Sequence, residues 1–112
     1  MATSEFVNYV VDLLAPYGYL RVRPMFGGHS VYRDGVIVAI IVGEELYFKV
    51  NEQSVCDYRN RGSKPFTYKA RDKVINISYW QVPLDIMEDK ELFGNWLDVA
   101  YQISLNTKNK KS

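Results

Sequence analysis

The sequence predicts an α+β domain, a single antiparallel sheet of five to six strands with helices on one face. Two segments near the ends of the chain, 6–17 and 92–101, repeat apolar residues at helical spacing. Between them lie short β-branched and aromatic runs separated by turn residues, as in adjacent antiparallel strands. A third, short helical pattern interrupts these runs. The predicted order is therefore helix, three or four strands, helix, two strands, helix.

The clearest local signal is Asp34-Gly35, which lies between two apolar, β-branched runs. A two-residue type I′ turn needs positive φ at both central residues, and Asp-Gly adopts it at low steric cost. Gly27-Gly28, at the other end of the first strand, predicts a bulge or a close backbone approach that a Cβ would block. The turn predicts these cross-strand pairs: Arg33 with Val36, Tyr32 with Ile37, Val31 with Val38, and His29 with Ile40.

The second strand of this hairpin, residues 36–42, is apolar at every position. Because successive side chains of a strand point to opposite faces, this strand is apolar on both faces of the sheet. The predicted helices can cover only one face well. We therefore expect a protein partner, or a second copy of the chain, to cover the other face.

The other elements follow from the same signals. Pro16 and Gly18 end the first helix, and Pro24 indicates that 19–25 is an edge strand because proline cannot donate to a ladder. The remaining expected elements are a strand at 46–50, a short helix between Asn51 and Gly62, strands at 66–70 and 74–80, and a last helix capped by Asp89.

A chain of 112 residues suits one domain, which we place at residues 1–105. Residues 106–112 contain three lysines and no apolar side chain, so a disordered basic tail is expected. The formal net charge of +1 argues against a strongly basic nucleic-acid binder.

The single cysteine, Cys56, excludes an intrachain disulfide and fits a reducing, cytoplasmic setting. The longest apolar run is far shorter than the ~20 residues of a membrane helix, so no membrane contact is expected.

Catalytic chemistry has little support in the sequence. The only histidine, His29, has aliphatic predicted neighbours, which favours a structural role over metal binding. Cys56 precedes Arg59 on one helix, so a small thiol-dependent enzyme is an alternative, but a lone cysteine among apolar residues is more often buried. We expect a protein that is not an enzyme, with no catalytic residue, metal or cofactor.

Binding through the open side of the sheet is better supported. Alternation places Tyr47 and Lys49 opposite the expected helix side, together with Lys69 and Trp80. These four residues are the candidate interface. Aromatic rings beside lysines also occur in open-sheet nucleic-acid binders, which makes a nucleic-acid-binding module an alternative. A cationic run from Arg59 to Lys73 is interpreted as a solvated helix end and turn.

Four motifs in this order resemble the amino-terminal domain of the TfoX (Sxy) family, over residues 6–105. They are Arg23-x-Met25-Phe26-Gly27-Gly28, then Tyr32-Arg33-Asp34-Gly35-Val36, Leu46–Val50, and Gly62–Tyr68. We assign to folding rather than to chemistry the motif positions Arg23, Met25, Phe26, Gly27, Gly28, Tyr32, Asp34 and Gly35.

The resemblance implies an α+β fold similar to secretion-chaperone-like domains. It also implies a regulator of natural competence (DNA transformation) in bacteria, here as a stand-alone amino-terminal domain without the carboxy-terminal domain of longer members. The implied partner is a cyclic-AMP receptor protein-type regulator at promoters, with DNA contact that is at most indirect. The family offers no catalytic residues.

Overall fold

Helices flank a group of strands in the computed structural model, which describes residues 4–25, 27–70 and 73–110, and the side chains of 5–25, 27–67 and 78–106. The elements in chain order are α1 (Ser4–Leu14), one 3₁₀ turn (Ala15–Tyr17), β1 (Leu20–Met25), β2 (Gly28–Arg33), β3 (Val36–Val42), β4 (Glu45–Lys49), α2 (Val55–Asn60), β5 (Pro65–Ala70), β6 (Lys73–Gln81), α3 (Leu84–Met87) and α4 (Lys90–Lys110). The predicted order is confirmed, with the short α3 added before the last helix.

The strands form one antiparallel sheet in the order β1-β2-β3-β4-β6-β5, so β1 and β5 are its edges. Val10 and Leu14 of α1 and Phe93 and Leu97 of α4 are buried in one cluster with Phe48 of the sheet. The ring centroids of Phe48 and Phe93 are 5.5 Å apart. Burying one such side chain contributes about 1.5–3 kcal/mol, so this cluster is a major source of stability. The predicted fold class is confirmed.

Tyr17, in the 3₁₀ turn, holds the end of α1 against α4. Its ring meets Phe93 edge-on with centroids 5.9 Å apart, and its hydroxyl donates to the carbonyl oxygen of Lys90 at 2.8 Å. A Cβ added to Gly94 would lie 2.7 Å from Cε1 of Tyr17. The ring can therefore occupy this place only because residue 94 has no side chain.

Side-chain oxygens of Asn51 and Asp89 accept backbone hydrogen bonds near the starts of α2 and α4. The Asn51 side-chain oxygen accepts from the backbone N–H groups of Gln53 at 3.0 Å and Ser54 at 2.8 Å, in the turn that leads into α2. The Asp89 carboxylate accepts from the Leu92 N–H at 3.1 Å. The Asp89 cap satisfies an N–H group that the start of α4 would otherwise leave without a partner, and the Asn51 bonds hold the turn before α2.

The last helix is longer than predicted. α4 continues to Lys110, so residues 106–110 are helical in the structure, while 111–112 lie outside the described residues. The polar composition predicted disorder, but extending an existing helix adds one hydrogen bond for each residue that is fixed. None of the helices in the described ranges is long and apolar enough to cross a membrane.

The hairpin between β2 and β3 has the predicted turn. Asp34 and Gly35 have φ values of 51° and 83°, as a type I′ turn requires. At the other end of β2, a Cβ added to Gly28 would overlap the carbonyl oxygen of Ile41. The close backbone approach predicted for this glycine is confirmed.

The register beyond the turn differs from the predicted one. Val31 pairs with Ala39 and not with Val38, because Val38 is an extra residue in β3, a β-bulge. One extra residue moves each following side chain to the opposite face. Val31, Val38 and Ala39 are buried in the cluster with the helices, whereas Ile40 lies in a separate cluster on the other face.

Candidate interaction surface

We define the open face as the surface of the sheet opposite α1 and α4. At its β1 edge, Leu20 and Val22 pack against the cluster on the helix side. Because side chains alternate along a strand, Arg21 and Arg23 lie on the open face, and both are exposed. The edge of the open face is therefore cationic.

The centre of the open face is an apolar cluster that the chain covers itself. Ile40, Tyr47 and Tyr79 are only 3%, 8% and 7% exposed. The Tyr47 ring meets the Phe66 ring edge-on, with centroids 5.2 Å apart. The prediction that the outer strip of the central strand lacks cover within the chain is wrong, because tyrosine and phenylalanine side chains from the neighbouring strands cover it.

Polar side chains at the rim of this cluster form hydrogen bonds with one another. The Tyr47 hydroxyl donates to the Glu45 carboxylate at 2.6 Å, and the Gln81 amide donates to the same carboxylate at 3.3 Å. Burial raises the pKa of Tyr47 far above its usual value, and the hydrogen bond to Glu45 raises it further. Tyr47 therefore stays a neutral hydrogen-bond donor, and the Glu45 carboxylate accepts from both Tyr47 and Gln81.

Lys49 and Tyr79 form a second contact on the open face. The Lys49 Nζ lies 5.2 Å from the centroid of the Tyr79 ring, within the range of a cation–π interaction. Burial raises the pKa of Tyr79 to about 12, with a smaller contribution from Tyr32. The ring thus remains neutral near pH 7 and presents its π face to the lysine.

The cations of the open face have no ionic partner in the part of the chain that the structure describes. Among the described residues, Arg21, Arg23 and Lys49 form no salt bridge. Exposed acidic residues lie on the four helices, at Glu5, Asp12, Asp57, Asp85, Glu91 and Asp98, together with exposed cations such as Arg59 and Lys90. The formal charge of +1 for the whole chain therefore does not reveal the cationic edge of the open face.

The motifs, the α+β fold and its single sheet point to one family of domains. Residues 12–104 match the family described as the TfoX N-terminal domain. The chain belongs to this family. Among curated proteins, none matches the chain.

The TfoX N-terminal motif positions lie along β1, β2 and the turn that follows. Asp34 and Gly35 form the hairpin turn, and Gly28 makes the close approach to β3. The backbone oxygen of Arg23 is 3.4 Å from the Ser30 hydroxyl, which donates to it. Met25, Gly27 and Tyr32 are exposed or half-buried, and Phe26 lies outside the described residues.

The four predicted interface residues of this TfoX-type domain do not share one face. Tyr47 and Lys49 lie on the open face. Trp80 does not, since it pairs with Phe48 and packs against the cluster on the helix side. Lys69 lies in β5, and its side chain is outside the described residues.

The misplacement of Trp80 has a physical reason. Alternation with the neighbouring apolar residues of β6 predicts the open face for Trp80, which is sound only where that face is polar. Here both faces carry apolar clusters, so an apolar side chain does not identify the helix side. The Arg59 guanidinium lies 5.7 Å from the centroid of the Trp80 ring, on that same side.

Arg21 and Arg23 are part of the surface but not among the four predicted interface residues. Alternation puts both arginines on one side of the edge strand without indicating which face of the sheet this is. The alternation with Leu20 and Val22 was the available signal, because two aliphatic residues at that spacing favour the covered face.

The cationic run after α2 is partly neutralised by neighbouring groups. Arg61 pairs with the Asp85 carboxylate at 2.7 Å and lies 5.8 Å from the centroid of the Trp96 ring. Arg71 and the side chain of Lys73 are outside the described residues.

The residues considered for chemistry remain apart from one another. Cys56 is exposed, contrary to the expected burial, and its thiol lies 3.9 Å from the Glu52 carbonyl oxygen. His29 pairs with Ile41 and not with Ile40, and its buried Nδ1 has no partner in the described structure. No group of three or more His, Cys, Asp or Glu in the described residues could hold a metal ion.

Proposed function

We propose that this chain is a non-catalytic regulatory interaction domain of the competence type, which works in the cytoplasm by contact with a protein partner. Membership of the TfoX N-terminal family, over residues 12–104, is the observation that carries this proposal. A cyclic-AMP receptor protein-type regulator at competence promoters is the proposed partner, and the contact of this chain with DNA is indirect.

The open face is the proposed contact surface. Its exposed cations, Arg21 and Arg23, have no ion pair among the described residues, so a partner with acidic side chains would gain their interaction. Proteins that bind single strands need exposed rings on which bases stack. Tyr47 and Tyr79 are 8% and 7% exposed, which favours a protein over a nucleic acid here.

A promoter reporter tests the regulatory role. The chain is expressed in a competence-regulating bacterium that lacks its own TfoX-type protein, with a reporter gene behind a competence promoter. We expect reporter output to rise about tenfold with the wild-type chain, a change of ~1.4 kcal/mol in promoter occupancy. The response should disappear when the cyclic-AMP receptor protein is deleted.

A charge-reversed variant tests the surface. Arg21→Glu with Arg23→Glu should return the reporter to its basal level. Lys64→Glu with Lys90→Glu is the matched control, because both lysines are exposed and lie before β5 and at the start of α4. Circular dichroism checks that both variants fold. A wild-type chain that leaves the reporter unchanged would contradict the regulatory role, and equal output from the two variants would contradict the surface.

A further inference from the structure

We propose that the outer edge of β1 binds an extended acidic segment of a protein partner as a seventh strand of the sheet. This inference rests on the proposed function and deepens it, because it gives the chemistry of the partner and its mode of binding. Addition of a strand supplies backbone hydrogen bonds for affinity, while alternate side chains supply specificity.

The backbone of β1 has groups without a strand partner along its outer side, as far as the described chain goes. Within residues 4–25, 27–70 and 73–110, β1 is an edge of the sheet and pairs with β2 alone. The Asp34 N–H donates to the Tyr19 carbonyl oxygen at 3.2 Å, and the Ser30 hydroxyl donates to the Arg23 carbonyl oxygen. Backbone groups of an antiparallel strand alternate in direction, so those of Tyr19, Arg21 and Arg23 point towards β2. The backbone groups of Leu20 and Val22 consequently point outwards.

Proline limits the length of the added strand. Pro24 is the next residue whose backbone points outwards, and it has no N–H to donate. A partner strand can therefore receive hydrogen bonds from Leu20 and Val22, and the ladder ends at Pro24. The proposed contact is a short one.

Charge selects an acidic partner. Arg21 and Arg23 are two residues apart, so their side chains stand on the open face roughly 7 Å from each other. Carboxylates at alternate positions of an added strand fall opposite them, and opposite charges in cross-strand pairs are stabilising. Tyr19, which is 67% exposed, and Met25, which is 37% exposed, flank this site with apolar surface.

The same charges disfavour a second copy of the chain at this edge. If β1 paired with β1 of another copy, arginines would lie opposite arginines on the same face, which is destabilising. An edge that repels its own copy and attracts an acidic strand is selective for the partner.

A designed peptide tests the inference. The probe is a ten-residue peptide of alternating glutamate and threonine, with an otherwise identical glutamine–threonine peptide as its control. Fluorescence anisotropy should show binding of the glutamate peptide at least tenfold tighter than that of the control. Hydrogen exchange followed by NMR should show slower exchange of the Leu20 and Val22 N–H groups when the glutamate peptide is bound.

Variants locate the site. Arg21→Glu with Arg23→Glu should weaken binding of the glutamate peptide by tenfold or more and should allow a lysine–threonine peptide to bind. Lys64→Glu with Lys90→Glu should bind the glutamate peptide like the wild-type chain. Higher salt should weaken the wild-type interaction, because these charges are exposed.

Several outcomes would overturn the inference. One is the absence of glutamate-peptide binding up to about 1 mM. Another is an unchanged hydrogen-exchange rate of the Leu20 and Val22 N–H groups when the peptide is added. A third is binding of the peptide by the charge-reversed variant as tight as by the wild-type chain. Binding of single-stranded or duplex DNA in preference to the peptide, with loss in the same variant, would reassign the edge to nucleic acid. If the peptide fails while the promoter reporter still depends on Arg21 and Arg23, the regulatory function stands and strand addition does not.

Discussion

The two faces of the sheet are both apolar at their centres, yet they are covered in different ways. On the helix side, Phe48 and Ile41 are fully buried beneath Phe93 and Leu97 of α4. On the open face, Ile40 is nearly as buried, but strand side chains such as Tyr47 cover it. A buried residue in the central strand therefore does not imply a helix or a partner above it. What distinguishes the open face is the cationic edge that Arg21 and Arg23 form beside its apolar centre.

The largest expected effect is on the helix side. Phe48→Ala should lower the free energy of unfolding by about 3–5 kcal/mol, because it leaves a cavity beneath α4 that the fixed helix cannot fill. Urea unfolding followed by circular dichroism measures the change, with Val99→Ala, at an exposed position of α4, as the control. A cost below about 1 kcal/mol would mean that the helices do not pack on this residue as described.

The open face gives the next effect and tests the comparison directly. Ile40→Ala should cost about 2–3 kcal/mol, because Ile40 is 3% exposed within the chain itself. The same unfolding experiment, at several protein concentrations, measures it. A loss within about 0.5 kcal/mol would indicate that the open face is bare in the isolated chain.

High pH tests the burial of the open face in a third way. Tyr79 has a pKa of about 12 in the folded chain, against 10.0 for an unperturbed tyrosine in the unfolded chain. Between these two pH values the folded state keeps a proton that the unfolded state loses. The stability that comes from this difference is complete below pH 10.0 and is lost as the pH rises towards 12, by about 1.4 kcal/mol for each pH unit.

Tyr79→Phe should remove this contribution to the alkaline slope, while Tyr47 and Tyr58, whose pKa values burial also raises, keep theirs. Urea unfolding across the alkaline range can follow the change. The reference is Tyr19→Phe, since Tyr19 is 67% exposed. The burial described for Tyr79 would be wrong if both variants kept the alkaline slope of the wild-type chain.

The smallest expected effect concerns the contact that joins the hairpin to the helix layer. Arg33 pairs with Asp98 of α4 at 2.6 Å, and its guanidinium lies 4.8 Å from the centroid of the Tyr101 ring. Because the Asp98 side chain is 62% exposed, Asp98→Asn should cost only about 0.5 kcal/mol. A double-mutant cycle with Arg33→Gln measures the coupling free energy between the two side chains. A value above about 2 kcal/mol would mean that the ion pair is more buried than the structure describes.

Local signals predicted the elements of this fold well, because each depends on a few neighbouring residues. Asp34-Gly35 specified a turn, Pro24 an edge strand, and Asp89 a helix start. These residues act through φ preference, a missing N–H and a side-chain acceptor, all of which can be recognised without the tertiary structure.

The assignment of faces could not be predicted in the same way. No residue in the apolar run 36–42 signals the bulge at Val38, yet the bulge determines on which face of the sheet Ile40 lies. Trp80 is placed by its pairing with Phe48, a contact between distant parts of the chain. The candidate surface was therefore predicted in part, with Tyr47 and Lys49 correctly placed and the two arginines of β1 missed.

The contact of Tyr17 with Gly94 links two positions that are distant in the sequence. Any side chain at 94 would collide with the ring, so a larger residue there requires a smaller one at 17. The dependence runs one way, because a smaller residue at 17 leaves Gly94 unhindered and only gives up the hydroxyl's bond to Lys90 in the first turn of α4. Lineages of this domain that carry the tyrosine should consequently keep the glycine.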